Sequence, residues 1–538
     1  MSSTDTFYED REKFKTIQNL MDRSFTKYKN GIFCKYCKDG EIFEKTYQEF
    51  YYDTISLANT LKELSLQGLH IAIIGKTSYE WIVSYLGIMN SESVVVPIDK
   101  ELPVQAKIEQ ILLANVTCLF YDNDYLEEAI CIKEAVNNIE YIVNFDQNID
   151  GSIYFRDLLK KPNNIKLQEV KADAIAQIVF TSGTTGKSKG VVLTHGNIAS
   201  GVMFSSMVLD LSPKDLVLSI LPNNHTYELT TGILTSIYFG SIICINEKLK
   251  LLKKNLKLYK PTTMVAVPAV LEMMRKEILK EIKRQKKENI FKYGLVLSKI
   301  LLKFNIDIRR IIFKDILQVL GGNFKIIVCG GAHSAQDLQD FFRDVGIIIL
   351  EGYGMSECSP LIAANTDRYS KPGSVGKVSP FCQVKIVDDE ILVCGKNVMQ
   401  GYYKDTAATE ECFDGEWFKT GDLGFLDNDN YIYITGRKKN LIILKNGENI
   451  SPEELEKILL ELPIIKEAIV YGEDNLIKAE VYLEDDGTQD LDQKVKDEVK
   501  RINNSLPLFK QIQAIKIRDC EFEKTTTRKI KRNITYIN

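Results

Sequence analysis

The sequence predicts an α/β protein whose large N-terminal part contains two doubly wound sheets and a small β-barrel-like unit, followed by a small α+β C-terminal domain. Short apolar runs alternate with helical stretches as far as residue 354, as expected of parallel strands covered on both faces. Between 370 and 436 the pattern changes to short strands separated by glycine turns. Basic residues at 437–439 mark a break before the last segment. We therefore predict domains at 1–438 and 439–538.

The first layer is predicted from four nearly continuous apolar runs, each bounded by polar residues or glycine. They cover residues 70–75, 93–98, 117–121 and 141–145. Six further runs follow between 174 and 354. Because so many strand and helix pairs exceed one sheet, two doubly wound layers are predicted.

The C-terminal segment has a clear helix start. Ser451 is a good N-cap, Pro452 suits the first helical position, and Glu454 is placed to complete a capping box. Strand-like runs and a second helix near 490–504 follow. This predicts an independent lobe of about 100 residues.

Composition excludes several classes of protein. The 538 residues have a formal net charge of -4, which argues against a general nucleic-acid binder. The polar N-terminal residues do not resemble a signal peptide, and no apolar run approaches the length of a membrane span. A cytoplasmic protein is therefore expected, with no nucleic acid among its partners.

The eleven cysteines do not form a disulfide framework, because they are scattered through a long chain. Cys34 and Cys37 have a spacing found in zinc sites, but no second pair of ligands follows nearby. The alternation over 32–36, followed by Lys38-Asp39-Gly40, instead predicts a hairpin strand and its turn.

The region 247–315 is dense in lysine and arginine, and its apolar residues recur at helical spacing. One interpretation is a solvated helix pair that packs an apolar stripe on the core. The other is a basic amphipathic surface, within 275–315, that makes peripheral contact with an anionic membrane.

The strongest chemical motif directly follows a predicted strand and reads TSGTTGKSKG from Thr181. Glycines allow sharp turns, so that backbone N–H groups, hydroxyls and lysines can surround a polyphosphate. A Walker loop is excluded, since Thr181 stands where that motif requires glycine. A flexible linker would not need this combination of strand, glycines and lysines. The predicted phosphate-binding residues are Thr181, Ser182, Gly183, Thr184, Thr185, Gly186 and Lys187.

This loop resembles the phosphate-loop signature of the adenylate-forming (AMP-binding) superfamily. Five further motifs resemble that family's in the same order, and the resemblance runs from about residue 25 to the chain end. It is closest to long-chain fatty acyl-CoA synthetases. The five motifs are Gly330-Gly331-Ala332, Glu351-Gly352-Tyr353-Gly354-Met355-Ser356-Glu357, Trp417-Phe418-Lys419-Thr420-Gly421-Asp422, Gly436-Arg437-Lys438-Lys439, and 523–530.

The resemblance implies an enzyme that uses ATP, Mg²⁺ and coenzyme A to activate a carboxylic acid. It implies a nucleotide site that adds Gly331, Ala332, Glu351, Gly352, Tyr353, Gly354, Met355, Ser356, Asp422, Arg437 and Lys529 to the phosphate loop. By the same resemblance, 351–357 would stack the adenine, Asp422 would bind the ribose, and Arg437 would donate to ribose or phosphate. Thr184 and Glu357 would bind the metal, because hydroxyl and carboxylate oxygens suit Mg²⁺. Catalytic roles are implied for Lys529, Glu357, Thr184 and Arg437, since two anions must approach each other in the first step.

The resemblance also implies that the C-terminal lobe is mobile. Lys439 occupies the family's hinge position, and Gly447 would line a thiol channel in one pose of the lobe. The other pose would bring Lys529 to ATP, a conformational step between two half-reactions. Arg528 stands where the family commonly has glycine.

The acid pocket is expected at residues 221–228, which resemble the corresponding motif of long-chain relatives. His225, Tyr227 and Gly330 are the predicted acyl-binding residues, and a medium- or long-chain fatty acid is the expected substrate. Coenzyme A is the expected acceptor, because no carrier attachment site follows residue 439. A free-standing acyl carrier protein is the alternative acceptor. A nucleotide-binding relative without turnover and a luciferase-like oxygenase remain alternatives of another class.

Overall fold

A computed structural model describes residues 6–38, 40–159, 167–182, 188–332, 334–444, 448–462, 464–473, 476–483, 491–524 and 530–532. The strands are β1 (Ile32–Lys38), β2 (Glu41–Thr46), β3 (His70–Ile74), β4 (Val94–Pro97), β5 (Val116–Tyr121), β6 (Tyr141–Asn144), β7 (Ile153–Tyr154), β8 (Ile175–Ser182), β9 (Ser188–Thr194), β10 (Leu216–Ser219), β11 (Ile242–Ile245), β12 (Thr263–Ala266), β13 (Ile326–Cys329), β14 (Ile348–Gly354), β15 (Leu361–Ala364), β16 (Gly376–Val378), β17 (Cys382–Val387), β18 (Glu390–Gly395), β19 (Gly401–Tyr402), β20 (Phe413–Asp414), β21 (Trp417–Leu426), β22 (Tyr431–Arg437), β23 (Ile442–Ile443), β24 (Asn449–Ile450), β25 (Ile465–Glu473), β26 (Leu476–Leu483) and β27 (Ala514–Arg518).

The α-helices are α1 (Ile17–Tyr28), α2 (Tyr47–Glu63), α3 (Tyr79–Asn90), α4 (Val104–Leu113), α5 (Leu126–Ala135), α6 (Phe155–Leu158), α7 (His195–Val208), α8 (Thr235–Phe239), α9 (Leu252–Tyr259), α10 (Pro268–Arg284), α11 (Glu288–Leu302), α12 (Arg309–Ile312), α13 (Lys314–Leu317), α14 (Gln336–Asp344), α15 (Thr406–Cys412), α16 (Pro452–Leu460) and α17 (Leu491–Ser505). A π-helix, Glu228–Leu234, precedes α8. No described helix is long and apolar enough to cross a membrane.

The chain divides into two compact units. Unit 1 comprises Met1–Pro372, Gly376–Gln383 and Cys394–Glu416. Unit 2 comprises Gly373–Val375, Val384–Val393 and Trp417–Asn538.

Unit 1 contains the two predicted doubly wound sheets, and this prediction is confirmed. The first has the order β2-β1-β11-β10-β12-β13-β14-β15-β16, with parallel pairing from β1 to β14. The second has the order β19-β9-β8-β4-β3-β5-β6-β7 and is parallel from β8 to β7. Strand order reverses within each sheet, which creates the crevices where such folds bind ligands.

The predicted hairpin at the N-terminal side is confirmed. β1 pairs antiparallel with β2, and the register joins Lys38 to Glu41 across the turn. Cys34 is buried on β1, because the apolar face of that strand packs into unit 1.

Unit 2 contains an antiparallel arrangement, β18-β21-β22, and a three-stranded sheet, β25-β26-β27. α16 and α17 pack on the three-stranded sheet around a core that includes Leu455, Val470 and Val495. Ser451 precedes α16 as predicted, but the predicted capping box is wrong. Its hydroxyl instead donates to the Thr435 carbonyl at 2.8 Å, because β22 brings that acceptor within reach.

Candidate active site

The predicted phosphate loop connects two paired strands. β8 and β9 are antiparallel, Thr181 pairs with Lys189, and Ser182 pairs with Ser188. Residues 183–187 lie outside the described residues, and with them Thr184, Thr185, Gly186 and Lys187. The described strands therefore place both ends of the loop at one edge of the second sheet.

The predicted adenine segment begins as strand β14 in the first sheet. Glu351 and Tyr353 are buried, and Tyr353 pairs with Ala363 of β15. At Gly354 a Cβ atom would stand 1.7 Å from the Pro360 carbonyl oxygen. Only glycine fits there, since the backbone of the next segment passes against it.

Glu357 has a neighbour that the sequence did not predict. The hydroxyl of Tyr402 donates to Glu357 Oε1 at 3.1 Å. Burial and the Glu357 charge raise the pKa of Tyr402, so the phenol stays protonated and holds the carboxylate. Met355 and Ser356 lie between this pair and β14, at the turn that follows the strand.

The side chains near Glu357 can be compared with the ligands that a magnesium ion prefers. Among the described residues, no cluster of three histidine, cysteine or acidic side chains is present. Glu357 is partly exposed, and so it can offer a carboxylate oxygen. Mg²⁺ commonly takes one or two carboxylates and completes its shell with phosphate oxygens and water. The residues present therefore fit a magnesium ion that arrives with a nucleotide.

Two of the predicted acyl-binding residues are in contact. A Cβ atom on Gly330 would approach the Tyr227 ring and hydroxyl to 2.9 Å. The Tyr227 hydroxyl donates to the Val328 carbonyl at 3.1 Å and lies 3.4 Å from the Ala266 carbonyl. Burial raises the pKa of this phenol well above its usual value, so it remains a donor.

The other predicted residues of this region lie close in the chain to Tyr227 or Gly330. Gly331 has a φ of +81°, in the left-handed region that favours glycine, and both Gly331 and Ala332 are exposed. His225 lies in the turn before the π-helix, where its N–H donates to the Pro222 carbonyl at 3.2 Å. The structure thus brings Tyr227 and Gly330 together, and His225 lies two residues before Tyr227 in the chain.

A buried carboxyl in the π-helix was missed by the sequence analysis. The Ser219 hydroxyl donates to Glu228 Oε1 at 2.5 Å, while Oε2 has no partner among the described residues. Burial raises the pKa of Glu228 to about 8, against the lowering effect of Ser219. The carboxyl is therefore largely protonated at neutral pH. Its position in a π-helix, a rare form often found at functional sites, is the signal that only a structure supplies.

A narrow cavity lies beside the adenine segment. Glu351 and Gly352 of β14 line it at one side, and Thr231 of the π-helix lines it at another. The rest of the wall is mostly apolar and comprises Ser205, Val208, Leu209, Val328, Leu350, Leu361, Ala364 and Asn365. The enclosed space is about 10 Å³, roughly the room that one water molecule needs. The wall is therefore apolar enough for an aliphatic chain, but it would have to open before such a chain could enter.

In unit 2 the predicted ribose-binding residues form an ion pair. Asp422 and Arg437 are register partners on β21 and β22, and Arg437 Nε lies 2.7 Å from Asp422 Oδ1. The Asp422 side chain is buried, whereas 41% of the Arg437 side chain is exposed. The guanidinium can therefore also reach a ligand while it holds the aspartate.

Glu390 is a third residue that the sequence did not predict. Its buried carboxylate accepts from the Gly421 N–H at 3.0 Å and from Lys438 Nζ at 2.7 Å. Gly421 precedes Asp422, and Lys438 precedes the predicted hinge residue Lys439. One carboxylate therefore fixes both the ribose loop and the start of the hinge.

The segment that carries the predicted catalytic lysine is held at both ends. Glu467 accepts from the Phe522 N–H at 2.8 Å and pairs with Lys524 at 2.5 Å. Past the loop, Glu456 accepts from Arg532 at 2.6 Å and from the Val470 N–H at 2.7 Å.

Both of these glutamates are buried, and burial raises the pKa of Glu456 to about 7, opposed by the Arg532 cation. Lys529 and Gly447 lie outside the described residues.

The family profile of AMP-binding enzymes matches residues 21–403, and that of the AMP-binding enzyme C-terminal domain matches 439–538. The chain belongs to the AMP-binding enzyme family. This confirms the resemblance noted in the sequence.

Among the relatives of this AMP-binding enzyme is a long-chain-fatty-acid–CoA ligase of Rattus norvegicus, 31% identical over 482 residues, which cover 81% of this chain and 72% of the relative. A long-chain-fatty-acid–CoA ligase of Mycobacterium bovis is 29% identical over 435 residues, covering 76% of this chain and 71% of the relative.

Solved structures confirm the predicted fold class. An anthranilate CoA ligase in complex with anthranoyl-AMP superposes with a TM-score of 0.79 at 20% identity, covering 98% of this chain and 97% of that one. ATP-bound MatB from Rhodopseudomonas palustris gives 0.78 at 23% identity, covering 97% and 98%. At these identities the likeness concerns the fold.

Proposed function

We propose that the protein is an AMP-forming acid–thiol ligase that activates a long-chain fatty acid and transfers the acyl group to coenzyme A. The observation that carries this proposal is the match of the AMP-binding enzyme profiles to residues 21–403 and 439–538. The mostly apolar wall beside Glu351 and Gly352 agrees with an apolar acid. The named activity of the rat and mycobacterial relatives supports the same substrate class. The domain boundary at 438/439 and the roles of the site residues are part of the proposal.

In the first half-reaction, a carboxylate oxygen of the acid attacks the α-phosphorus of ATP, and pyrophosphate leaves. Two anions must approach, so fixed donors and cations are needed. Residues 181–187 would surround the phosphates, and Lys529 would neutralise the approaching oxygens. Tyr353 offers a flat face to the purine, while Asp422 accepts from the ribose hydroxyls.

Glu357, positioned by Tyr402, and Thr184 would hold the magnesium ion. When bound, Mg²⁺ neutralises phosphate charge and orients the leaving group. The protein's own contribution is to hold the Glu357 carboxylate in one orientation.

In the second half-reaction, the thiolate of coenzyme A attacks the acyl carbon, the acyl–phosphate bond breaks and AMP leaves. We propose that residues 439–538 rotate about Lys439 between the two steps. Lys529 would then withdraw, and the thiol would enter beside Gly447.

The test is acid-dependent release of pyrophosphate from ATP across acetate, octanoate, palmitate and aromatic acids. We expect the highest kcat/KM with palmitate. Absence of release with every acid would remove the enzyme proposal, and a preference for aromatic acids would remove the fatty-acid part.

A graded change in the cavity tests the substrate class further. Ala364 lines the cavity from β15. Ala364→Val and then Ala364→Leu should lower kcat/KM for palmitate progressively, because each added methylene shortens the space. Octanoate in the same variants is the internal control, since a shorter chain needs less of the cavity. Equal losses for both acids would contradict the assignment of this cavity.

A free-standing acyl carrier protein is the second candidate acceptor. Purified acyl-AMP offered with either coenzyme A or carrier protein separates the two acceptors, because a different thioester forms with each.

We infer a cytoplasmic location with peripheral membrane contact through 275–315.

A further inference from the structure

Helix α11 is apolar on two sides. On its inner side, Phe291 and Leu295 pack against the core, and the Phe291 ring lies 5.3 Å from that of Phe313. The outer side and the turn after it expose six large apolar residues: Ile290 (58%), Tyr293 (71%), Val296 (55%), Leu297 (48%), Ile300 (48%) and Phe304 (70%). Contiguous exposed apolar surface of this kind marks an interaction site.

Five of these residues form one stripe. Ile290 is followed at alternating spacings of three and four by Tyr293, Leu297, Ile300 and Phe304. This places the first four on one face of α11 and Phe304 in the turn that follows the helix. Their exposure is therefore a property of a face and not of scattered surface residues. We call this set the α11 stripe.

The α11 stripe lies in the most basic part of the chain. Residues 276–314 contain twelve lysines or arginines and four acidic residues, whereas the whole chain has a net charge of -4. Lys292, Lys299 and Lys303 follow at spacings of seven and four along one edge of the stripe, and all three are exposed. Lys299 also pairs with Asp344 at 2.7 Å. Long lysine side chains can bury their methylenes beside an apolar surface while the ammonium groups reach outward.

We propose that the α11 stripe and its lysine edge bind the surface of an anionic lipid bilayer, with α11 lying in the plane of the interface. The apolar side chains would enter the boundary between headgroups and acyl chains, and the lysines would contact lipid phosphates. A second copy of this chain is the poorer occupant, because it would bring two strongly basic segments together. An in-plane helix also agrees with the length of α11, which is 15 residues and too short to span a bilayer.

α10 connects this surface to the surroundings of Tyr227, one of the predicted acyl-binding residues. It begins at Pro268, two residues after Ala266, whose carbonyl lies 3.4 Å from the Tyr227 hydroxyl. Its 17 residues extend about 25 Å at the rise of an α-helix. If the proposed function holds, the membrane surface would then be one helix length from the site of an acid that dissolves in lipid.

The experiment is co-sedimentation of the full chain with vesicles of phosphatidylcholine, alone or mixed with phosphatidylglycerol. We expect at least tenfold tighter binding to the anionic vesicles and a steep loss of binding with added salt. The variant Tyr293→Ser/Leu297→Ser/Phe304→Ser should lose this binding. Leu508→Ser, which changes an 83% exposed leucine of unit 2, is the matched control and should bind as the parent does.

Charge reversal tests the lysine edge separately. Lys292→Glu/Lys303→Glu should weaken binding to anionic vesicles at least tenfold, while Lys496→Glu/Lys500→Glu, on exposed positions of α17, should not. Equal binding of the parent to both kinds of vesicle, or stripe variants that bind as the parent does, would overturn the proposal. A concentration-dependent dimer abolished by the stripe variant, without vesicle binding, would assign the face to a second copy.

Failure of this proposal is distinguishable from failure of the proposed function. Vesicle binding is measured without ATP or acid, and octanoate-dependent pyrophosphate release is measured without vesicles. Circular dichroism checks that each variant is folded.

Discussion

The residues around the candidate acid cavity are held by different interactions from the residues on either side of the predicted lysine segment. In unit 1, Tyr227 supports the cavity-lining Val328, to whose carbonyl its hydroxyl donates. Tyr227 is itself held by the Ala266 carbonyl and by its packing on Gly330. In unit 2, the buried carboxylates of Glu390, Glu456 and Glu467 bind cations and N–H groups. The residues near the cavity are therefore held by packing and neutral hydrogen bonds, whereas those of the C-terminal lobe are held by ion pairs. Substitutions in the first should change which acid reacts, and substitutions in the second should change which half-reaction proceeds.

The largest effect is expected from replacing Lys529, the predicted catalytic cation of the C-terminal lobe. Lys529→Ala should lower acid-dependent pyrophosphate release by roughly a thousandfold, because the cation acts where charge develops. Thioester formation from supplied acyl-AMP should be nearly retained. Lys531→Ala, an exposed neighbour, is the control. Equal loss of both half-reactions would show that the lobe does not divide the chemistry in this way.

A smaller effect is expected at Arg532, which follows the predicted lysine segment in the chain. Burial raises the pKa of Glu456, and Arg532→Ala removes the paired cation that lowers it. The carboxyl should then be protonated at neutral pH, and the ion pair that holds this part of the chain is lost. We expect adenylation to fall roughly tenfold, because a displaced lysine segment loses its orientation, with KM for the acid unchanged. Arg532→Lys should restore part of the rate. Glu454→Gln, at a more exposed glutamate of the same helix, is the matched control, and a shift in acid preference would contradict the prediction.

Glu390 should give a difference of a few fold. Glu390→Gln keeps the acceptor for the Gly421 N–H but loses the charge that pairs with Lys438. A charge-assisted hydrogen bond contributes about 1.5–3 kcal/mol, part of which the amide retains. KM for ATP should therefore rise more than KM for the acid, as initial rates at varied ATP and palmitate would show. Equal changes in both would place Glu390 outside the ribose loop's support.

The smallest effect concerns stability on the unit 1 side. An unfolded glutamate ionises near pH 4.3, whereas burial raises the pKa of Glu228 to about 8. The folded chain therefore binds the extra proton between these values, and its contribution to the free energy of unfolding falls as pH rises through that window.

Glu228→Gln should show a flatter decline in Tm from pH 6 to about pH 8 than the parent. Glu288→Gln, at an exposed glutamate, should follow the parent curve. A steeper decline in the Glu228 variant would contradict the assigned protonation.

Much of the fold and of the candidate site could be predicted from the sequence, because the residues that form these strands and motifs are contiguous in the chain. Strands β3, β8 and β14 are short and mostly apolar, so the local pattern predicts them without reference to other strands. The motifs that begin at Thr181, Glu351 and Trp417 are likewise contiguous.

The supporting partners are not contiguous. Tyr402 lies 45 positions from Glu357, Lys438 lies 48 positions from Glu390, and Arg532 lies 76 positions from Glu456. Such pairs depend on which strands become neighbours, and no local pattern in the chain encodes that. The capping box at Ser451 was wrong for the same reason, since the competing acceptor is supplied by β22.

The π-helix bears on how this protein could change over evolutionary time. Its wider turns accommodate an additional residue within helical chain, and Thr231 on those turns faces the cavity while Glu228 lies buried one turn earlier. Deletion of a single residue from 228–234 would restore ordinary helical winding and rotate every preceding side chain by about 100°. A one-codon deletion after Thr231 would thereby reorient Tyr227, Glu228 and the cavity-lining Thr231 together. Length variation in this segment is therefore a shorter route to a new substrate than stepwise substitution.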